Sequence, residues 1–311
     1  MIGLKRLSLI VFCLLFSLTG CKTDKIQTPA DPPANRTPLQ HNSPFQGVKS
    51  ERGQLNILVL GVDSRGEEQA RSDSIMIAQY DPKAKKVRIA SIMRDSYVTI
   101  PNYSMNSNKI NMAYYFGGPE LLRKTIQQNF GIDVEHFVAI DFEGFVHIVD
   151  TVAPEGIEVN IKQQIIDDMG LALQPGRQRL HGKDLLAYAR FRHDAESDFG
   201  RVKRQQEVLQ ALKDAFANKV SSLDGMFQLP GIGQELLKYI DTDMDMQTLL
   251  TVGGSLLLNP VEDVKTMRIP VDASYEDKFY EHAGAVLQLD FQKNKEALKE
   301  FFIHDPKPVN E

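Results

Sequence analysis

The chain has 311 residues, 42% of them hydrophobic and 25% charged, with a formal net charge of −5 and an isoelectric point near 5.9. That balance is ordinary for a folded protein and offers no basic surplus for bulk nucleic-acid binding. Its two cysteines, Cys13 and Cys21, both lie in the opening segment, so the body of the chain has no disulfide, thiol nucleophile or thiolate metal site.

The chain opens MIGLKRLSLIVFCLLFSLTGC. Lys5 and Arg6 precede an apolar run, Leu7 to Phe16, that is too short to span a bilayer, which takes about 20 residues, but suits the core of a signal peptide. Leu18-Thr19-Gly20-Cys21 resembles the lipobox of bacterial lipoproteins. That resemblance implies removal of residues 1–20, acylation of Cys21 and anchorage at the outer face of the cytoplasmic membrane. An uncleaved signal anchor or plain secretion would also export the rest. Residues 21–52, with Pro29, Pro32, Pro33, Pro38 and Pro44, lack apolar periodicity and read as a flexible tether. Such a coil reaches roughly 30 Å.

From Leu55 the pattern becomes that of a folded domain, expected over residues 53–311. LNILVLGVD reads as a strand buried on both faces. Ser74 to Tyr80 and Lys86 to Met93 are further strands joined at Asp81-Pro82, and YVTIP follows. Pro119 to Phe130 reads as a helix, with Pro at its first turn and Gly131 just past its end. Val134 to Ile140 is strand-like, Phe142 to Val152 an apolar helix, and Gly156 to Ile161 a strand. Lys183 to Arg190 is a short helix. Phe199 to Val220 is a longer one, with Val202, Leu209, Leu212, Phe216 and Val220 on one stripe. Helices are expected within Ile232–Tyr239 and Met246–Leu258, the latter with a buried stretch from Val252. A strand from Val264 to Ile269 and a helix closing at Leu298 to Phe302 complete the chain. Alternating strands and helices predict an α/β fold with a sheet covered on both faces.

Charged pairs stand at strand junctions: Asp63 and Arg65, Arg71 and Asp73, Arg94 and Asp95. Each pair alone reads as a solvated turn; three together point to a site at the strand ends. A second cluster, AYARFRHDAESDFGRVKRQQ, brings Arg190, Arg192, Arg201 and Arg204 into one short stretch. Arg201 and Arg204 lie one turn apart near a helix start that Asp198 is placed to cap, an arrangement suited to an anion. A mixed-charge surface reads equally well from the spacing. Many arginines with a few aspartates suit phosphoryl chemistry, where Asp63 and Asp73 could hold Mg²⁺. No Walker loop, nucleophile elbow or zinc helix is present, and the histidines are scattered.

NILVLGVDSR, RSDSIMIAQYDP, ASIMRDSYVTIP, NKINMAYYFGG, VDTVAPEGIEVNI, LHGKDLLAYARFRH and DFGRVKRQQEVLQAL stand in the order expected of the LytR–CpsA–Psr family, which this chain resembles closely over Asn56 to Phe216. The resemblance implies a three-layer α-β-α sandwich with a central mixed sheet and a hydrophobic tunnel for a polyprenyl chain. Phe142, Phe145, Ile148 and Val149 fall where a tunnel-lining helix is expected; plain core packing reads equally well. It also implies an enzyme that transfers a glycopolymer, such as wall teichoic acid or capsule, from undecaprenyl pyrophosphate to the C6 hydroxyl of peptidoglycan N-acetylmuramic acid, leaving a phosphodiester. Position by position, Asp63 and Asp73 match ligands of Mg²⁺ (or Mn²⁺). Arg65, Arg94, Arg190, Arg192 and Arg201 match pyrophosphate-contacting or catalytic arginines, with Lys109 and Gln205 as further contacts. The general base stays open between Asp95, Asp198 and an unassisted hydroxyl. A monomer is expected. A polyprenyl-pyrophosphate hydrolase and a non-catalytic lipid-carrier binding protein are the competing readings.

Overall fold

The computed structural model describes residues 43–50, 53–63, 70–194, 196–220, 231–235, 237–259 and 261–303. The leader, Cys21 and most of the tether lie outside the described residues, as does Arg65.

In chain order the strands are β1 (Leu55–Asp63), β2 (Arg71–Asp81), β3 (Lys86–Ile92), β4 (Ser96–Thr99), β5 (Ser107–Lys109), β6 (His136–Asp141), β7 (Ile157–Ile161), β8 (Gly176–Leu180), β9 (Ile240–Thr242), β10 (Asp263–Ile269), β11 (Tyr275–Tyr280) and β12 (Gly284–Leu289). The helices are α1 (Ile110–Phe130), α2 (Phe142–Val152), α3 (Gln163–Met169), α4 (Gly182–Arg190), α5 (Ser197–Val220), α6 (Met246–Leu258) and α7 (Phe291–Ile303). Six strands form a central sheet in the order β10-β3-β2-β1-β6-β9. β1 and β6 run parallel, as do β3 and β10, while β2 is antiparallel to both its neighbours, so the sheet is mixed. A smaller sheet, β11-β12-β4-β5, and the hairpin β7–β8 complete the fold.

β1 is buried on one face only. Leu58, Leu60 and Val62 point into a core shared with Ile75 and Ile77 of β2, Leu122 and Ile126 of α1, and Leu298 and Phe302 of α7. On the opposite face Val59, Met76 and Val138 form one row across β1, β2 and β6, with Ile57 and Ala78 in the next. All five are only half-buried. They face the second helical layer, where Val149, Leu185, Tyr188 and Val208 pack with Ile157, Ile165 and Leu180 into a separate core. That layer has its own core, separate from the one on the other face of the sheet. The sheet face that these five residues form is apolar but only half-buried, which corrects the expectation of a strand buried on both sides.

α1 begins nine residues before the expected Pro119, since Ile110, Ala113 and Tyr114 are buried against the sheet side. The signals read from sequence mark a break inside it. Gly118 takes φ 65°, ψ −158°, and Pro119 restarts the helix, which ends at Gly131 in the left-handed region (φ 71°). α2 has the expected bounds, and Asp141 caps it by accepting from the Gly144 amide at 2.7 Å. α5 does not show a single stripe. Val202 belongs to the sheet-side core and Val208 to the helical core, while Leu209 and Phe216 are half-buried, because the helix crosses from one core to the other. The stretch from Val252 is not buried as expected either: Leu256 is exposed and Val252 half-buried, since α6 lies at the sheet's end, where Ser255 O accepts from the Tyr80 hydroxyl at 3.1 Å.

Residues 43–50, within the stretch read as tether, lie against the body. The Phe45 ring is 5.0 Å from that of Phe137, the Val48 amide donates to Val134 O at 2.9 Å, and the Gln46 amide donates to Glu120 Oε2 at 2.9 Å.

Candidate active site

The ends of β1, β2 and β3 that carry the charged pairs lie together. In the β1–β2 ladder Gly61 pairs with Ser74 and Val62 with Ser72, which leaves Asp73 as the extra residue of a bulge. A bulge re-aims its side chain, and Asp73 turns into a cleft of about 700 Å³. Asp63 ends β1 beside it, and Arg94 and Asp95 follow β3. Arg71, Lys109, Asn111, Arg192 and His282 also line the cleft.

Ion pairs hold the cleft in shape. Arg94 Nη1 meets Asp73 Oδ1 at 2.5 Å, and its Nε lies 3.6 Å from both Asp95 Oδ2 and Asp198 Oδ2. Lys109 Nζ donates to Asp95 Oδ1 at 2.8 Å, and Arg201 Nη2 donates to Asp198 Oδ2 at 3.1 Å. Burial works against the Arg94 charge, but Asp73, Asp198 and Asp95 outweigh it and raise its pKa. Burial also works against the Asp95 carboxylate, yet the hydrogen bond from Lys109 and the nearby Arg94 bring its pKa below the ordinary value. Asp198 shares a hydrogen bond with Asp95, and burial, with repulsion from that carboxylate, raises its pKa despite Arg201 and Arg94. Burial, with repulsion from Arg94, lowers the pKa of Arg201. The pair thus divides into an ionised Asp95 facing the cleft and an Asp198 behind it that retains a proton more readily.

Three guanidinium Nε donors, of Arg94, Arg201 and Arg204, are buried without a hydrogen-bond acceptor among the described residues, and of these Arg94 lines the cleft. Buried N–H groups without partners cost stability unless a ligand meets them, and phosphate oxygens are the natural acceptors for such forks. The acidic donors also suit a hard cation. Mg²⁺ takes one or two carboxylates and fills its shell with water and phosphate oxygens. Asp63 and Asp73 both face the cleft, and Arg94 meets Asp73 through its Oδ1.

The remaining sequence candidates divide. Arg192 is exposed and reaches the cleft. Arg190 lies outside its lining, with its guanidinium 4.0 Å from the centre of the Phe142 ring. Phe142, Phe145 and Ile148 are half-buried on α2, Phe145 packing against the helical core in which Val149 is fully buried. Val149 therefore packs rather than lines an open space. Asp198 does not cap α5; the helix starts at Ser197 and Asp198 pairs with Arg201. Arg204 shares a face with Arg201 but is committed to the loop before α5. It donates to Asp194 Oδ2 at 2.7 Å and to Phe191 O at 2.5 Å. Gln205 is half-buried and does not line the cleft. His282, read as one of several scattered histidines, is a cleft residue. Only pairing of β12 with β4 brings it there, nearly two hundred residues from Asp95 in sequence. A second groove of about 680 Å³ lies along Phe199, Lys203 and Tyr275, but its Arg268 is already stacked on Phe199 at 4.3 Å and paired with Asp272 at 2.6 Å.

Fold and site together define an α-β-α sandwich protein with an anion-competent cleft at the end of a half-buried apolar sheet face. The chain belongs to the LytR_cpsA_psr family, whose model matches residues 21–300. It is 42% identical over 261 residues to "Regulatory protein MsrR" of Staphylococcus aureus (strain COL), covering 84% of this chain and 78% of that protein. It is 32% identical over 248 residues to "Polyisoprenyl-teichoic acid--peptidoglycan teichoic acid transferase TagU" of Oceanobacillus iheyensis, covering 76% and 74%. Among solved structures it resembles "LytR-CPS2A-psr family protein YwtF (TagT) with bound octaprenyl pyrophosphate lipid", with a TM-score of 0.59, 25% identity and coverage of 85% of this chain and 96% of that one. Among the described residues no helix is long and apolar enough to cross a membrane.

Proposed function

We propose that this protein is a cell-envelope transferase that moves a glycopolymer, wall teichoic acid or a similar chain, from undecaprenyl pyrophosphate to peptidoglycan. The observation that carries the reading is the position of the charged cleft at the end of the half-buried apolar face of β1, β2 and β6. A pyrophosphate head on a long isoprenoid tail needs both features side by side. The names of the TagU relative and of the lipid-bound solved structure support it.

In this reading the tail lies between the sheet and α2, along Val59, Met76, Phe142, Phe145 and Ile148. Arg190 and Arg192 meet the head at the mouth of the passage. Arg94, with Arg201 behind it, donates to the phosphate oxygens as charge shifts in the transition state. The C6 hydroxyl of an N-acetylmuramic acid residue attacks the phosphorus that bears the sugar chain. A new P–O bond forms to the acceptor oxygen, the P–O bond to undecaprenyl phosphate breaks, and the leaving phosphate takes the electron pair. The hydroxyl proton passes to Asp95, which its hydrogen bond with Asp198 equips to share it. Asp63 and Asp73 would hold Mg²⁺ or Mn²⁺, which when bound would supply positive charge at the pyrophosphate. A lipid at Cys21 and the tether keep the body near its lipid substrate at the outer face of the membrane, where it works as a monomer.

The test mixes the full-length chain with Mg²⁺, a polyprenyl-pyrophosphate-linked sugar and a peptidoglycan oligomer, and follows products by mass spectrometry beside Arg94→Ala. A sugar–phosphate–glycan adduct from wild type alone is the expected result. Release of polyprenyl phosphate without the adduct would identify a hydrolase. Tight lipid binding with no turnover would identify a carrier protein.

A further inference from the structure

We propose that Tyr97, Tyr280 and His282 form an aromatic seat for the acceptor glycan strand, holding one of its pyranose rings at the lip of the cleft; this rests on the transferase reading above. The hairpin β11–β12 is fixed to the reactive turn. β12 pairs with β4 in parallel, Leu287 opposite Ser96 and Gln288 opposite Tyr97, and the Leu287 amide donates to Asp95 O at 2.9 Å. The hairpin's turn carries His282 and Ala283 into the cleft lining beside Asp95 and Lys109.

The rings are held in place rather than buried. Tyr97 and Tyr280 stack with centroids 4.5 Å apart and planes 20° from parallel. The Tyr280 hydroxyl donates to Gln288 Oε1 at 3.0 Å. His282 Nε2 lies 3.1 Å from Ser107 O and 3.2 Å from the Tyr97 hydroxyl. A carbonyl can only accept, so Nε2 carries the proton. The imidazole is exposed, and its centroid lies 6.1 Å and 6.0 Å from the two tyrosine rings. A fixed aromatic surface at the edge of water loses little conformational entropy when a ligand docks. The negative face of an aromatic ring attracts the weakly positive C–H face of a sugar.

Direction selects the acceptor over the donor. An in-line displacement brings the nucleophile in opposite the leaving group. The leaving lipid phosphate departs toward the half-buried apolar face, on the side of α2 and α4. The hairpin stands in the smaller sheet with β4 and β5, which pack on α1, and so belongs to a different layer from α2 and α4. A glycan seated there presents its hydroxyl from the required side.

The test uses the full-length chain with Tyr97→Ala, Tyr280→Ala and the matching Phe variants. Acceptor and donor KM are measured separately with a peptidoglycan tetrasaccharide and a polyprenyl-pyrophosphate-linked sugar, and octaprenyl pyrophosphate binding is measured alongside. Each Ala variant is expected to raise the acceptor KM about tenfold. Donor KM and octaprenyl pyrophosphate binding should stay at wild-type values, which also reports an intact fold. The Phe variants should retain the acceptor KM because the ring remains. An unchanged acceptor KM in both Ala variants, or a parallel rise in donor KM, overturns the proposal. Saturation-transfer NMR between the wild-type chain and the tetrasaccharide, without donor, reads the seat independently of turnover. Absence of transfer from tyrosine protons overturns the seat. Transfer without adduct formation would retain the seat and sink the transferase reading instead.

Discussion

Arg94 Nη1 stands 2.5 Å from Asp73 Oδ1 because both residues continue the β2–β3 register, in which Ile75 pairs with Ile92. One side chain is thus aimed by a strand end and the other by a bulge, and the pair locks the centre of the cleft.

Replacing that fork tests what it does. Arg94→Lys keeps a cation near Asp73 but loses the planar donors, so kcat for transfer should fall about 100-fold or more, as for an oxyanion donor. Unfolding by urea should be nearly unchanged. Wild-type kcat in the Lys variant would mean that Arg94 contributes charge alone.

The carboxylates predict a metal dependence. Chelation should suppress transfer, and Mg²⁺ or Mn²⁺ should restore it. Asp63→Asn should raise the Mg²⁺ concentration for half-maximal rate about tenfold or more, since one charged hard-oxygen ligand is lost. A metal titration of initial rates in both proteins decides it.

The half-buried sheet face predicts a length-dependent defect. Ala78 pairs with Ile57 two residues further from the cleft than the Val59–Met76 pair. Ala78→Phe should obstruct a long isoprenoid while leaving the mouth clear. Octaprenyl pyrophosphate should bind about tenfold more weakly or worse, while a two-isoprene pyrophosphate should bind as to wild type. Equal losses for both ligands would place the tail elsewhere.

Glu120 predicts acid sensitivity of the fold. Its carboxylate, 3% exposed, takes two hydrogen bonds from Arg123 at 2.8 Å and one from the Gln46 amide at 2.9 Å. Burial works against the charge, but the Arg123 bonds prevail and the pKa lies below the ordinary value. A depressed folded-state pKa contributes stability that is complete above the unfolded pKa of about 4.3 and lost as pH falls through the folded value. Glu120→Gln should cost about 3 kcal/mol at pH 7, by leaving Arg123 without its charge partner. It should also flatten the acid side of the stability curve. Urea unfolding from pH 7 downward measures both, and limited proteolysis near residues 43–50 should accelerate in the variant.

Much of the fold was legible because it follows from local rules. Phe142–Val152 announced itself by apolar density between Asp141 and Ala153, and Gly131 and Pro119 marked a helix end and restart. The hairpin β11–β12 was not legible: Tyr275 to Tyr280 carries Glu276, Asp277 and Lys278 on strands that face water, so it lacks the apolar alternation by which strands are recognised. α3 is only seven residues long, too short to show a helical period.

Sequence by itself determined the family, the mixed α/β character, and the arginines and aspartates of the cleft, because short motifs at strand ends carry their chemistry with them. Only the tertiary structure decided which of those charges act together. It committed Arg204 to a loop, placed Asp198 behind Asp95, buried Val149 while leaving Val59 and Met76 half-buried, and brought His282 to the cleft. Those outcomes depend on strand register and on the packing of distant layers, and neither is set by residues adjacent in the chain.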